Sequence, residues 1–210
     1  MMRCLLLLIL AGCSAFNVLK GLRFGPAART SGFPSVINLK EDLVRLSRGT
    51  SNGIKASPQR RVEIQNVIDQ LNKQNKVKKL TSNSLIDGSW ELLYTTNEGS
   101  SAGKIGPFVG KVEQNVQLSA GVYTNVVKLP GFSACLTATW DNLSDTKWRV
   151  LFQRISFSVL GFKIAENSLE AVGIWRMTYL DDDLRILTAA GNTISKKELK
   201  ENYYVLARRP

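Results

Sequence analysis

Asp181-Asp182-Asp183 is the densest run of oxygen ligands in the chain, and three consecutive carboxylates can hold a hard cation. The triplet also stands between two apolar runs, where a hairpin turn is expected and the same carboxylates are simply solvated. Glu113, Glu166 and Glu170 show no spacing that pairs two carboxylates for acid–base work. The sequence contains no histidine, which removes the commonest general base and the commonest metal ligand. A histidine-based triad and a His-ligated zinc or iron site are excluded with it. Of three cysteines, Cys4 and Cys13 lie in an apolar leader, and Cys135 alone cannot form an internal disulfide or a Cys-rich metal site. No phosphate loop or nucleotide fingerprint is present. The inventory points away from an enzyme, and no cofactor or metal is expected.

The remaining chemistry is that of apolar surface and positive charge. Trp90, Leu92 and Tyr94 alternate along one strand-like run and are expected on a single face. Trp140, Phe152 and Trp175 are further large aromatics in strand-like runs. Such side chains either line a cavity, whose walls bind by buried area at about 25 cal/mol per Å2, or fill the core. Arg154 and Arg176 also fall in strand-like runs, and either, if inward, can meet the polar head of a ligand. The chain carries a formal charge of +11, and Lys73, Lys76, Lys78 and Lys79 concentrate part of it. That run can face an anionic lipid surface, at roughly 1 kcal/mol per basic residue close to it, or form a solvated helix end. It lacks interleaved aromatics and no nucleic-acid motif accompanies it, so no nucleic-acid partner is expected. Two apolar loops, Gly106-Pro107-Phe108-Val109-Gly110 and Leu129-Pro130-Gly131-Phe132, can dip into lipid through Phe108 and Phe132, or pack back on the fold.

The elements that would position these residues are set by periodicity. Val36, Leu39, Leu43 and Leu46 recur at helical spacing, with Gly49 as the stop. Ser57 as N-cap and Pro58 at the first position open a second helix with an apolar stripe of Ile64, Val67, Ile68 and Leu71. Helices are thus expected within 36–75. After Leu85 the period becomes that of short strands separated by Gly, Asn, Asp and Pro turns. Expected strands are Trp90–Thr96, Gly110–Leu118, Val122–Leu129, Ala134–Trp140, Lys147–Val159, Gly173–Leu180, Leu184–Ala189 and Asn202–Arg208. No helical pattern separates them, so parallel βαβ units are not expected. Ala134, Leu136, Ala138 and Trp140 share a face, and small residues beside a large aromatic suit the inside of a small barrel. The expected fold is mainly β: an antiparallel barrel of about eight strands over 85–210, closed or nearly so, behind two helices. A β-sandwich is the alternative architecture.

The first residues read as targeting rather than fold. Arg3, the apolar run Cys4–Ala11 and the small residues Cys13 and Ala15 describe a signal peptide over 1–15. The run is about half the ~20 residues a membrane-spanning helix needs, an uncleaved anchor being the alternative. From Phe16 to Lys40 there is no Asp or Glu, while Lys20, Arg23 and Arg29 stand among Ser and Thr, giving residues 16–35 the composition of a transit peptide. The junction Ser14-Ala15-Phe16 resembles the Ala-Phe cleavage motif of proteins sent to the complex plastids of diatoms and related algae.

Four ordered blocks carry a wider resemblance. Gly88-Ser89-Trp90-Glu91-Leu92-Leu93-Tyr94-Thr95 resembles the Gly-x-Trp-x-Leu-x-Tyr-Thr opening strand of the plastid lipid-associated protein (fibrillin) family, whose Gly-x-Trp core is shared by lipocalins. Leu46-Ser47-Arg48-Gly49 followed by Arg60–Leu71 looks like that family's N-terminal helices. Tyr179-Leu180-Asp181-Asp182-Asp183-Leu184-Arg185-Ile186 and Tyr203-Tyr204-Val205-Leu206-Ala207-Arg208 look like its last two strand blocks. Between them Ala189-Ala190-Gly191-Asn192 replaces the family's Arg-Gly, and a polar insert, Ser195–Asn202, lengthens the loop. By analogy with lipocalins a late-strand arginine, Arg185 or Arg208, stacks across Trp90.

The resemblance implies a plastid protein at thylakoids or plastoglobules that binds or carries lipids, prenyl quinones or carotenoids. Trp90, Leu92, Tyr94, Trp140, Phe152, Arg154, Trp175, Arg176 and Arg185 are the expected cavity residues. A structural coat of plastid lipid bodies with a filled barrel, and a partner presenting a hydrophobic substrate to an enzyme, are the competing roles. Peripheral association with plastid membranes or lipid bodies is expected, and oligomeric state is not legible.

Overall fold

A computed structural model describes residues 34–191 and 201–209. The expected signal peptide and nearly all of the transit-like segment lie outside the described residues, as does most of the polar insert.

Two helices open the domain. In α1 (Val36–Ser47) the Ser35 hydroxyl accepts the Asn38 amide, and Leu39, Leu43 and Leu46 form the buried stripe. In α2 (Pro58–Lys73) Ser57 accepts the Arg60 amide, and Ile64, Val67, Ile68 and Leu71 are buried. Both buried faces are the ones that helical spacing predicts.

Among the described residues ten strands come next: β1 (Gly88–Thr95), β2 (Lys104–Ile105), β3 (Phe108–Val109), β4 (Lys111–Gln117), β5 (Val122–Leu129), β6 (Phe132–Ser144), β7 (Lys147–Val159), β8 (Phe162–Leu180), β9 (Leu184–Gly191) and β10 (Asn202–Arg208). Short β2 and β3 pair only with each other. Among the described residues the other eight close an antiparallel barrel in the order β1-β10-β9-β8-β7-β6-β5-β4, with β4 pairing back to β1. A barrel, not a sandwich, is the architecture.

Two buried clusters divide the molecule. One fills the barrel and includes Trp90, Leu92, Val112, Trp148, Trp175, Met177 and Leu206. The other joins the helices to the outside of the barrel through Tyr94, Tyr179, Leu184, Ile186 and Val205. Two bulges set this division. The register slips between Leu92 and Tyr94 on β1, and between Met177 and Tyr179 on β8. Each slip turns the next tyrosine outward under the helices, because one extra residue reverses the facing of every later residue on the strand. Hence Tyr94 does not share a face with Trp90 and Leu92, as strict alternation led us to expect.

The barrel has distinct ends. At one, the turns Leu80–Ser82 and Ser84–Ile86 plug the interior: the Trp148 indole donates to Thr81 O at 3.2 Å and the Trp90 indole to Ile86 O at 3.0 Å. At the other, β6, β7 and β8 stay paired out to Phe132, Val159 and Phe162, well beyond Gly173, where the pairing of β8 with β9 ends. The largest difference from the sequence reading is here: β8 starts at Phe162 rather than near Gly173. The exposed polar residues Lys163, Glu166, Asn167 and Glu170, with a slip that leaves Ile164 unpaired, hide its alternation.

Candidate functional site

At the open end a cavity of about 200 Å3 enters the barrel. Gln114, Asn125 and Asn97 bring polar groups to its wall, and Phe152, Trp175 and Leu136 bring apolar ones. These come from β4, β5, β7, β8 and β6 and from the turn after β1. Trp175 meets Tyr123 edge-on, ring centres 4.8 Å apart, an arrangement that fixes both rings. The cavity is slightly larger than one of about 150 Å3 that takes up benzene. It has room for a single ring or a short stretch of chain, and a longer ligand must project through the mouth.

Beneath the floor lies a buried cation. Arg185 is fully buried and donates from Nη2 to Gln114 Oε1 at 2.5 Å, and Gln114 in turn lines the cavity. Its Nε and Nη1 find no hydrogen-bond partner among the described residues. Burial lowers the guanidinium to about 10, Tyr123 opposing and Arg208 adding to the effect, so Arg185 remains charged at neutral pH. The Trp90 ring supports it from below, 5.0 Å from the guanidinium carbon. Arg208 lies over the same ring at 4.2 Å, so both candidate arginines stack on Trp90.

The residues expected to form a site separate into three groups. Phe152 and Trp175 line the cavity. Trp90, Leu92 and Arg185 are buried in the barrel interior below it, and Trp140 stacks on Trp148 toward the plugged end with ring centres 4.5 Å apart. Tyr94, Arg154 and Arg176 are not cavity residues in this fold. Tyr94 lies under the helices. Arg154 is exposed, 3.9 Å from Glu166, over a shallow polar depression shared with Gln153 and Ser168. Arg176 is exposed and reaches Glu201 at 3.8 Å. The alternation of β8 carries Trp175 inward and so forces Arg176 out.

The surface candidates also separate. Lys73, Lys76, Lys78 and Lys79 are exposed around the plugged end, where Asn75 accepts the Leu180 amide. Phe108, 64% exposed, and the partly buried Phe132 belong to the open end. One flat surface cannot meet both sets. The acidic triplet forms the β8–β9 turn: Asp181 accepts the amides of Asp183 and Leu184, and Lys40 Nζ bridges Asp181 and Asp183 at 3.0 and 2.8 Å. These carboxylates pin α1 to the barrel.

Sequence reading overlooked Gln114, Tyr123, Asn125 and Leu136 as wall residues. For Leu136 the signal was present, since it shares the inward face of Ala134 and Ala138. Gln114 and Asn125 gave none, because amides on a strand usually face water.

The sequence profile of the PAP_fibrillin family matches residues 37–172, covering both helices and the barrel into β8. The blocks at Tyr179–Ile186 and Tyr203–Arg208 lie beyond that match. The chain is also 26% identical over 167 residues to "Probable plastid-lipid-associated protein 5, chloroplastic" of Arabidopsis thaliana, covering 79% of this chain and 71% of that protein.

Proposed function

The chain belongs to the PAP_fibrillin family, and from that premise we propose that it is a plastid lipid-associated protein that holds one end of a hydrophobic molecule in its barrel. The cavity above Arg185 is the observation that carries this reading. A wall of Phe152, Trp175 and Leu136 suits a ring or alkyl chain, while Gln114, Tyr123 and Asn125 offer hydrogen bonds to a carbonyl or hydroxyl. A buried positive charge behind Gln114 favours an electron-rich group at the floor. A prenyl quinone or a polar lipid has both parts, a compact polar end and a long apolar tail. A whole carotenoid does not fit inside about 200 Å3.

Plastid residence is part of the proposal. It is supported by the chloroplastic relative and by the signal-like and transit-like segments before residue 36. Binding rather than catalysis is proposed because the hydroxyls of Ser101, Tyr123 and Tyr204 at the cavity have no Asp, Glu, Lys or Cys beside them among its described lining residues to activate them. One observation favours a second reading, a lipid-body coat with no cavity ligand: much of the barrel is already filled by Trp90, Trp148, Arg185 and Leu206.

Filling the cavity distinguishes the two. Ala189 lines it, and Ala189→Phe places a ring in the space. The full-length protein and this variant are incubated with total plastid lipids, repurified and extracted for mass spectrometry. A lipid retained by the parent and lost from the folded variant supports the carrier. Equal retention of nothing, with both proteins floating on lipid droplets, leaves the coat.

A further inference from the structure

The β7–β8 hairpin holds the largest apolar exposure among the described residues. Leu160 is 76% exposed, Phe162 77% and Ile164 62%, with Val159 beside them. A soluble surface rarely gathers such side chains within six consecutive positions. Its turn adds an independent observation. Leu160 has φ +50 and Gly161 φ +88, so both central residues lie in the left-handed region of a two-residue hairpin turn. Asn or Gly ordinarily takes the first of these places, and leucine there is conformationally unfavourable. The chain keeps a strained leucine where its side chain projects from the apex.

The hairpin is amphipathic. Phe157 and Val159 follow Ile155 on one face, with Phe162 opposite Val159 and Phe132 on the neighbouring strand. This face continues the inside of the barrel, since Ile155 pairs with the cavity residue Leu136. Ser156, Ser158, Lys163 and Glu166 occupy the other face. The β5–β6 turn is tied to the apex, the Leu160 amide donating to Gly131 O at 2.9 Å. From Phe152 at the cavity wall to Leu160 the strand extends about 25 Å at about 3.3 Å per residue.

The geometry points to this apex, Val159–Ile164, as the element that docks the protein on an anionic lipid surface, with the cavity mouth turned toward that surface. Charge complementarity supports the choice of lipid. Lys163 is the single charged residue of Val159–Ile164, so the apex itself carries a cation, and Glu166 behind it is bridged by Lys163 at 3.2 Å and by Arg154 at 3.9 Å. Lys163, between Phe162 and Ile164, can hold its ammonium at headgroup level while its neighbours enter the acyl boundary. Exposed Lys104 pairs with Val109, the chain neighbour of exposed Phe108, in the small β2–β3 hairpin at the same end. The inference rests on the lipid-associated reading and names the surface that realises it, at the opposite end from the lysines after α2.

The test uses the full chain and two kinds of vesicle, phosphatidylcholine alone and phosphatidylcholine mixed with phosphatidylglycerol. Hydrogen exchange of the protein with and without vesicles is read peptide by peptide, beside co-flotation. The parent is compared with Leu160→Asn/Phe162→Thr, which gives the turn its preferred Asn-Gly pair and removes apolar surface without disturbing the core. The expected result is protection confined to the segment 156–168 on the mixed vesicles. The variant should keep its melting temperature and lose at least tenfold in vesicle affinity. Vesicle binding with unchanged exchange in the hairpin, or equal binding by the variant, overturns the inference and leaves lipid association standing. Protection of the hairpin without vesicles, at protein concentrations where sedimentation shows a dimer, overturns it in favour of a second copy. Absence of vesicle binding together with a retained cavity lipid overturns the docking surface alone; absence of both overturns the lipid-associated reading too.

Discussion

The guanidinium of Arg208 lies 4.2 Å from the centre of the Trp90 ring and, in the same pose, donates to three backbone carbonyls. Nη1 reaches Asp87 O at 2.9 Å, Nε reaches Asp182 O and Nη2 reaches Leu85 O. One side chain therefore joins the last strand, the β8–β9 turn and the plug that seals the barrel. The relationship also explains the glycine two residues before the tryptophan. Gly88 has φ +106, and a Cβ there would stand 3.0 Å from Arg208 Nη1.

Arg208→Ala should destabilise the fold by roughly 2 kcal/mol, because three carbonyls, that of Leu85 part-buried, lose a charged donor and the Trp90 ring loses its cation. Arg208→Lys should recover less than half of that, since an ammonium cannot serve three carbonyls and the ring from one plane. Gly88→Ala should cost about 2 kcal/mol through backbone strain and displacement of Arg208. Urea unfolding monitored by tryptophan fluorescence measures all three, and a loss below about 0.5 kcal/mol for Arg208→Ala would remove the arginine from its place as the latch.

Acid should loosen the helices through Asp181. Burial alone raises that carboxyl, but hydrogen bonds from Tyr179 and Lys40 and the Asp183 amide outweigh it and hold it below the usual range. A depressed carboxylate stabilises fully above its unfolded value, about 3.9, and the contribution is lost as pH falls through the folded value. Lys40 shows the opposite sign. Burial lowers it, yet the bonds to Asp183 and Asp181 raise it overall, so its contribution is complete below about 10.4 and fades at higher pH. Asp181→Asn should flatten the stability curve below about pH 4, and Lys40→Met should cost about 1 kcal/mol at neutral pH. Melting temperatures across pH check both, and an unchanged acid slope in Asp181→Asn would mean the bridge contributes nothing.

Arg185 should serve the ligand rather than the fold. A buried guanidinium with two nitrogens lacking partners among the described residues is poor stabilisation, and burial has already lowered its pKa to about 10. Arg185→Met keeps the apolar stem and drops the charge. Thermal unfolding should show equal or higher stability, by up to about 2 kcal/mol, while affinity for a ligand with a carbonyl or hydroxyl end falls at least tenfold. A strongly destabilised variant would instead assign Arg185 to the fold alone.

The fold was legible where one periodicity ran unbroken. The helical stripes Leu39–Leu46 and Ile64–Leu71 and the alternation Ala134–Trp140 were visible because burial imposes a repeat on residue type. The site was less legible because bulges cancel that repeat. An extra residue between Leu92 and Tyr94 sends Tyr94 to the helices, and strict alternation contains no sign of it. The β7 arm of the docking hairpin was legible as Lys147–Val159, but the β8 arm escaped: nearly every residue of β8 before Gly173 is exposed, so no burial pattern marks it as strand. Even so, four large apolar residues around Leu160-Gly161 are a sequence signal, and they are more exposed than the partly buried Phe132.

The central claim, that the barrel holds one end of an apolar ligand, is tested most directly by native mass spectrometry of the full-length protein after exposure to total plastid lipids. The expected result is one bound lipid or prenyl quinone per chain, displaced by Ala189→Phe with the fold intact. A protein that stays unliganded at saturating lipid, or that retains its lipid when Ala189→Phe fills the cavity, would contradict it.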